Sequence, residues 1–210
     1  MKLRITGNSH VGCLKHGLEA LPLYGEHEIE ISGFIHGKDQ RATFHATDRW
    51  SIVLTRGQRL DRFIKVMGSA AIDRDATWGV CMLPHSEYLY TQPDEPVNFD
   101  RDSKSVFTFV TDLKKAKIKH FAIMTPGPNR TNREIPEGCI SHAGQVDRDY
   151  REYLRDRFDR GGIDWVEALP EAHDEKGFLK PQFAKKPTHD HASTTYGAMM
   201  MQRILNHIGA

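Results

Sequence analysis

Short apolar runs alternate along this chain with longer segments of helical period. Few folds accommodate that pattern. A strand followed by a helix must return to the same edge of the sheet, so successive strands run parallel and both sheet faces are covered by helices. The strand-like runs are Lys2 to Thr6, His27 to Ser32, Trp78 to Leu83, His120 to Thr125 and Ile163 to Val166. Val11 to Leu21, Ser103 to Lys117, Gln145 to Arg160 and Thr194 to Ile208 have helical spacing. In the second of these, Val106, Phe109, Val110 and Leu113 share one face, and the lysines that follow read as a solvated end. In the third, charges alternate around Tyr150, Tyr153, Leu154 and Phe158, as on an exposed amphipathic helix. Ala42 to Ala46 and Ser51 to Arg56 read as an inserted hairpin turning at Asp48-Arg49. Leu60, Phe63, Ile64 and Met67 keep helical spacing. The expected architecture is an α/β, three-layer α/β/α sandwich around a mainly parallel five-stranded sheet, with residues 1–210 as one domain. A chain of 210 residues buries roughly 70% of its unfolded surface, enough for a core without disulfides or metals.

In such sheets, ligands bind beyond the carboxyl ends of the strands. The first of those ends carries a serine. Lys2-Leu3-Arg4-Ile5-Thr6 runs into the turn Gly7-Asn8-Ser9-His10, and a helix begins at Val11. Backbone N–H groups and the helix dipole favour a negative oxygen at that place, which suits a nucleophilic hydroxyl. A serine there can equally do no more than cap the helix. Near the other end, Pro187-Thr188-His189-Asp190-His191-Ala192-Ser193 precedes the last apolar helix. A histidine in that loop can reach across the sheet to the serine and act as its proton acceptor.

These two blocks resemble the SGNH hydrolases, the GDSL esterase/lipase superfamily. The resemblance rests on Gly7-Asn8-Ser9-His10 after the first strand and on His191-Ala192-Ser193 with Tyr196-Gly197 before the last helix. It spans nearly the whole chain. It implies the flavodoxin-like fold of that superfamily, with Ser9 as nucleophile and His191 as general base. It also implies an oxyanion hole from the N–H groups of Ser9 and of a glycine after the second strand, Gly33 or failing that Gly37. The family's third donor is an asparagine after the third main strand. Here that loop reads Leu83-Pro84-His85-Ser86-Glu87, so His85 or Ser86 has to replace it. The family's aspartate lies three residues before the histidine, and that position is Thr188. His191 is then oriented by the adjacent Asp190, by a backbone carbonyl, or by an acid from elsewhere such as Asp174.

Other chemistries compete. His189, Asp190 and His191, with His173-Asp174 nearby, could chelate zinc or nickel. The chain holds 12 histidines, however, and no HExxH or Cys-x-x-Cys accompanies the cluster. Three cysteines cannot complete a disulfide framework. Cys13 and Cys81 sit in apolar runs and read as buried; Cys139 lies in a polar loop and reads as exposed. None has the turn-and-helix setting of Ser9. A net charge of +1 argues against a nucleic-acid surface. Met1 is followed by no apolar leader, and no run is long enough to span a bilayer. The expectation is a cytoplasmic serine esterase with no cofactor and no metal, acting on a short-chain acyl ester, acetate on a carbohydrate being the fitting case. The alternatives are an O-acyltransferase using the same acyl-enzyme, and a binding module that has lost catalysis.

Overall fold

The structure is a computed structural model. It describes residues 1–22, 27–33, 44–46, 52–54, 65, 67–69, 71–81, 93–94, 97–131, 135, 138–186 and 191–209. The elements in chain order are β1 (Lys2–Gly7), α1 (Val11–Glu19), β2 (Glu28–Gly33), β3 (Phe44–Ala46), β4 (Ile52–Leu54) and β5 (Thr77–Cys81). They continue with α2 (Phe99–Lys115), β6 (His120–Ile123), α3 (Ile140–Gly161), β7 (Trp165–Val166) and α4 (Thr194–His207). Five strands form one sheet in the order β2-β1-β5-β6-β7, and every pairing in it is parallel. The strands β3 and β4 pair antiparallel as a separate two-stranded sheet, as the hairpin pattern requires. Its turn at Asp48-Arg49 lies outside the described residues, as do Leu60, Phe63 and Ile64.

Side chains alternate across the sheet and give it two cores. On one face, Trp78, Val80 and Ala122 pack beneath α2 and α3, against Val106, Phe109, Leu113, Tyr150, Leu154 and Phe158. On the other, Leu3, Ile5, Phe121 and Ile123 pack beneath α1 and α4, against Leu14, Leu18, Met201, Ile204 and Leu205. The α/β/α sandwich expected from the alternation is therefore what forms.

The boundaries differ from the expectation in physically informative ways. The helix expected from Ser103 begins at Phe99, because Ser103 is buried and its hydroxyl donates back to the Phe99 carbonyl at 2.6 Å. The helix expected from Gln145 begins at Ile140. Its apolar stripe is not exposed: Tyr150, Leu154 and Phe158 are buried. Lys114 is more than a solvated cation, since its ammonium donates to the carbonyl oxygens of Gly161 and Gly162 at 2.7 and 3.3 Å, satisfying the end of α3.

All five main strands end on the same edge. The turn after Gly7, the end of β2 at Gly33, the loop from Thr125 and the segment after Val166 therefore meet there. Among the described residues, no helix is long and apolar enough to cross a membrane.

Candidate active site

The turn from Gly7 to Val11 is built by backbone groups and one side chain. The Asn8 N–H donates to the Cys81 carbonyl at 3.0 Å, tying the turn to the end of β5. Asn8 Oδ1 accepts the His10 N–H at 3.1 Å. The Asn8 and Ser9 carbonyls accept the N–H groups of Val11 and Gly12. Ser9 is exposed while Asn8 and His10 are buried, so the serine side chain is the one the turn presents outward. The capping role is not what the structure gives it: His10 occupies the cap position of α1, without a side-chain bond.

Gly33 lies directly against this turn. A Cβ there would come within 2.9 Å of Val11 Cγ2 and 3.2 Å of the Asn8 carbonyl oxygen. Having no side chain lets the end of β2 pack closely against the serine turn. Gly37, the fallback for the same role, lies outside the described residues, as do His85 and Ser86.

The last helix brings His191 to the same place. Helices α1 and α4 are pressed together through Gly17 and Gly197. A Cβ on Gly17 would lie 2.1 Å from the Gly197 carbonyl carbon, and one on Gly197 would lie 1.8 Å from the Cys13 carbonyl oxygen. Because both helices start at the carboxyl edge of the sheet, this contact brings their N-terminal ends into register. The N-terminus of α4 is capped by Ser193, whose hydroxyl accepts the Tyr196 N–H at 3.3 Å. Just before it, the His191 carbonyl accepts the Lys185 N–H at 2.8 Å, and the Ser193 N–H donates to the Phe183 carbonyl at 2.7 Å. The imidazole of His191 then stacks on that of His10, with centroids 5.1 Å apart and planes 18° from parallel. The structure therefore brings together the Ser9 turn, Gly33 and His191. Asp190, His189 and Thr188 lie outside the described residues.

Asp174 is engaged elsewhere. Its Oδ1 accepts the N–H groups of Lys176 and Phe178, and its Oδ2 accepts Arg130 at 2.6 Å. It shapes the 174–178 turn. His173 is likewise committed: its Nδ1 lies 2.7 Å from the Leu169 carbonyl and its Nε2 accepts the Gly127 N–H at 2.7 Å. Both ring nitrogens are used, so the neutral ring with hydrogen on Nδ1 joins the loop after β6 to the segment after β7. Among the described residues, no group of three or more His, Cys, Asp or Glu is placed to hold a metal ion.

Burial holds the His173 pKa below the usual imidazole value, with the nearby Arg151 cation acting in the same direction. The sign of the consequence is fixed. The folded state prefers the neutral ring, so its contribution is complete above the unfolded value of 6.5 and is lost as pH falls below it. Urea titrations across pH 7 to 5 are expected to show falling stability, with a shallower fall in His173→Gln, which has no imidazole to protonate. Parallel curves would show that His173 does not carry this dependence.

The cysteine alternative fails on burial. All three cysteines are buried. The Cys13 thiol, one turn into α1, is pushed up to about 12 by loss of solvent, and burial raises Cys81 as well. Neither is a thiolate near neutral pH. Cys139, expected to be exposed, is 4% accessible: it immediately precedes α3, and its carbonyl accepts the Ala143 N–H at 2.8 Å.

Two features of this region carry no sequence signal of their own: Asn129 and the pair Asp147–Arg151. Asn129 is buried, and its amide donates to the Lys186 carbonyl at 3.3 Å. Arg151 joins buried Asp147 at 2.7 Å to the Thr125 carbonyl at 2.8 Å, fixing the start of the loop after β6.

By sequence, no protein-family model and no curated protein matches the chain. By structure, it is similar to a candidate acylhydrolase from Bacteroides fragilis, at TM-score 0.59 and 15% identity, over 99% of this chain and 86% of that one. A GDSL-like lipase from Bacteroides thetaiotaomicron gives 0.57 and 14% over the same shares. A carbohydrate acetylesterase family member from Sinorhizobium meliloti gives 0.54 and 11% over 100% of both chains. With five parallel strands and flanking helices, the chain shares the α/β fold of these solved structures.

Proposed function

We propose that this protein is a serine esterase that hydrolyses a short-chain acyl ester. One observation carries the reading: the exposed Ser9 leads into α1 beside Gly33, and His191, 182 positions later in the chain (191 − 9), is brought to the same turn by stacking on His10. Structural similarity to a GDSL-like lipase and a carbohydrate acetylesterase family member supports ester chemistry, and an acetyl group on a carbohydrate as the substrate class.

In this reading His191 takes the proton from Ser9 Oγ as the oxygen attacks the ester carbonyl. Negative charge then develops on the carbonyl oxygen. The N–H groups of Ser9 and Gly33 stabilise it, with a third donor from His85 or Ser86. His191 returns its proton to the departing alcohol. Water, deprotonated by the same imidazole, attacks the acyl-enzyme; the bond from the acyl carbon to Ser9 Oγ breaks, His191 returns the proton to Ser9 Oγ, and the acid leaves. Asp190 or a backbone carbonyl holds the other imidazole nitrogen. An alcohol in place of that water would give acyl transfer.

Activity itself is tested with p-nitrophenyl acetate and acetylated xylo-oligosaccharides against longer-chain p-nitrophenyl esters. Turnover restricted to short acyl groups is expected. A folded protein that binds an acetylated sugar and releases no acetate would be a binding module. The third donor has its own test. His85→Ala should lower kcat by about 10²-fold with little change in KM, because that bond strengthens in the transition state, and His85→Asn should recover much of the loss. A silent His85→Ala beside an impaired Ser86→Ala moves the role to Ser86.

A further inference from the structure

We propose that His10 is a positioning residue for His191, holding the catalytic imidazole in its working orientation by ring stacking. The inference rests on the esterase reading above and adds a residue to it.

The geometry has three parts. First, His10 is a rigid platform. It is 6% accessible, its N–H is held by Asn8 Oδ1 at 3.1 Å, and its carbonyl accepts Cys13 Sγ at 3.0 Å. Its position therefore follows the serine turn itself. Second, the backbone of His191 is held on its C-terminal side by the antiparallel Ala184–Ala192 bridge, whose two bonds run from the Lys185 N–H to the His191 carbonyl and from the Ser193 N–H to the Phe183 carbonyl. A held backbone does not by itself set the two side-chain torsions of His191. Third, the flat contact with His10, at 5.1 Å and 18°, restrains both. Tilting or rotating the ring out of this offset stack would break the contact. An imidazole free to swing would meet the Ser9 hydroxyl only part of the time. Restricting it supplies the orientation that proton transfer needs.

The platform also tolerates the charge that appears during the reaction. When His191 accepts the proton of Ser9 it becomes a cation lying over the face of a neighbouring ring, an arrangement that attracts rather than repels while that ring is neutral. A flat aromatic ring is thus the functional requirement at position 10. A hydrogen-bonding group alone does not meet it, and neither does an aliphatic group of similar bulk.

Four variants separate these possibilities. His10→Phe keeps a flat ring, His10→Leu keeps apolar bulk, His10→Asn keeps a polar donor and acceptor, and His10→Ala keeps none of these. With p-nitrophenyl acetate, His10→Phe is expected to retain kcat within about threefold. The Leu, Asn and Ala variants should lose about 10- to 100-fold in kcat at nearly unchanged KM. Melting temperatures measured alongside identify any variant that has lost its fold. His10→Leu, close in bulk to His10→Phe, keeps the comparison informative if His10→Ala is unstable. Two results would overturn the proposal: wild-type kcat in His10→Leu, or rescue by Asn with none by Phe, which would make His10 a hydrogen-bonding residue. Failure of the underlying esterase reading looks different, because Ser9→Ala would then be as active as the wild type whatever happens at position 10.

Discussion

Ser9→Ala is expected to lower ester turnover by about 10⁴-fold or more while leaving the melting temperature unchanged. The serine is exposed, and the capping position of α1 belongs to His10, so the hydroxyl contributes little to stability. His191→Ala should be about as severe, since a nucleophile without its proton acceptor is nearly as inert as no nucleophile. The double variant should be little worse than either alone, because the two groups act as a unit. His189→Ala should be mild. Severe and equal losses at His189 and His191, with wild-type activity removed by a chelator and restored by zinc, would favour a metal site instead.

The second large effect lies at the helix contact that brings the two halves of the site together. A methyl group on Gly197 would sit 1.8 Å from the Cys13 carbonyl oxygen. That neighbour is backbone within α1 and cannot move aside alone. Gly197→Ala must therefore push α4 away from α1, at about 3 kcal/mol, which for a chain of this size lowers the melting temperature by roughly 6–12 °C. Any folded fraction should also lose kcat, because the same displacement separates His191 from His10. Gly12→Ala is the control. It lies in α1 as well, yet a Cβ there meets nothing within 4 Å, so it should be neutral or slightly stabilising. Calorimetry of the two variants tests this, and equal melting temperatures would contradict it.

The strands, the sheet and the serine turn are legible in the sequence because they depend on local patterns. Lys2 to Thr6 alternates, Gly7-Asn8 punctuates, and Val11 opens a helical period. Helix starts are less legible, for specific reasons. Ser103 has the residue type of a cap but bonds back into the helix, which competes with the same signal. Gly144 lies inside α3, where a Cβ would meet the Phe178 ring at 2.7 Å. The partner that explains this glycine is 34 positions away (178 − 144). The site divides in the same way. Ser9 and His191, the residues of the proposed site, stand out in the sequence as residue types in suggestive local settings. The His10–His191 stack and the His173–Gly127 bond are not, since each joins segments that only the tertiary fold brings together.

The most direct measurement is to react the folded protein with a fluorophosphonate and map the adduct by mass spectrometry. A serine esterase built on Ser9 and His191 should carry one phosphonylated residue, Ser9, with labelling strongly slowed in His191→Ala and abolished in Ser9→Ala. A folded wild-type protein that stays unlabelled, or that carries the adduct on another residue, would contradict it.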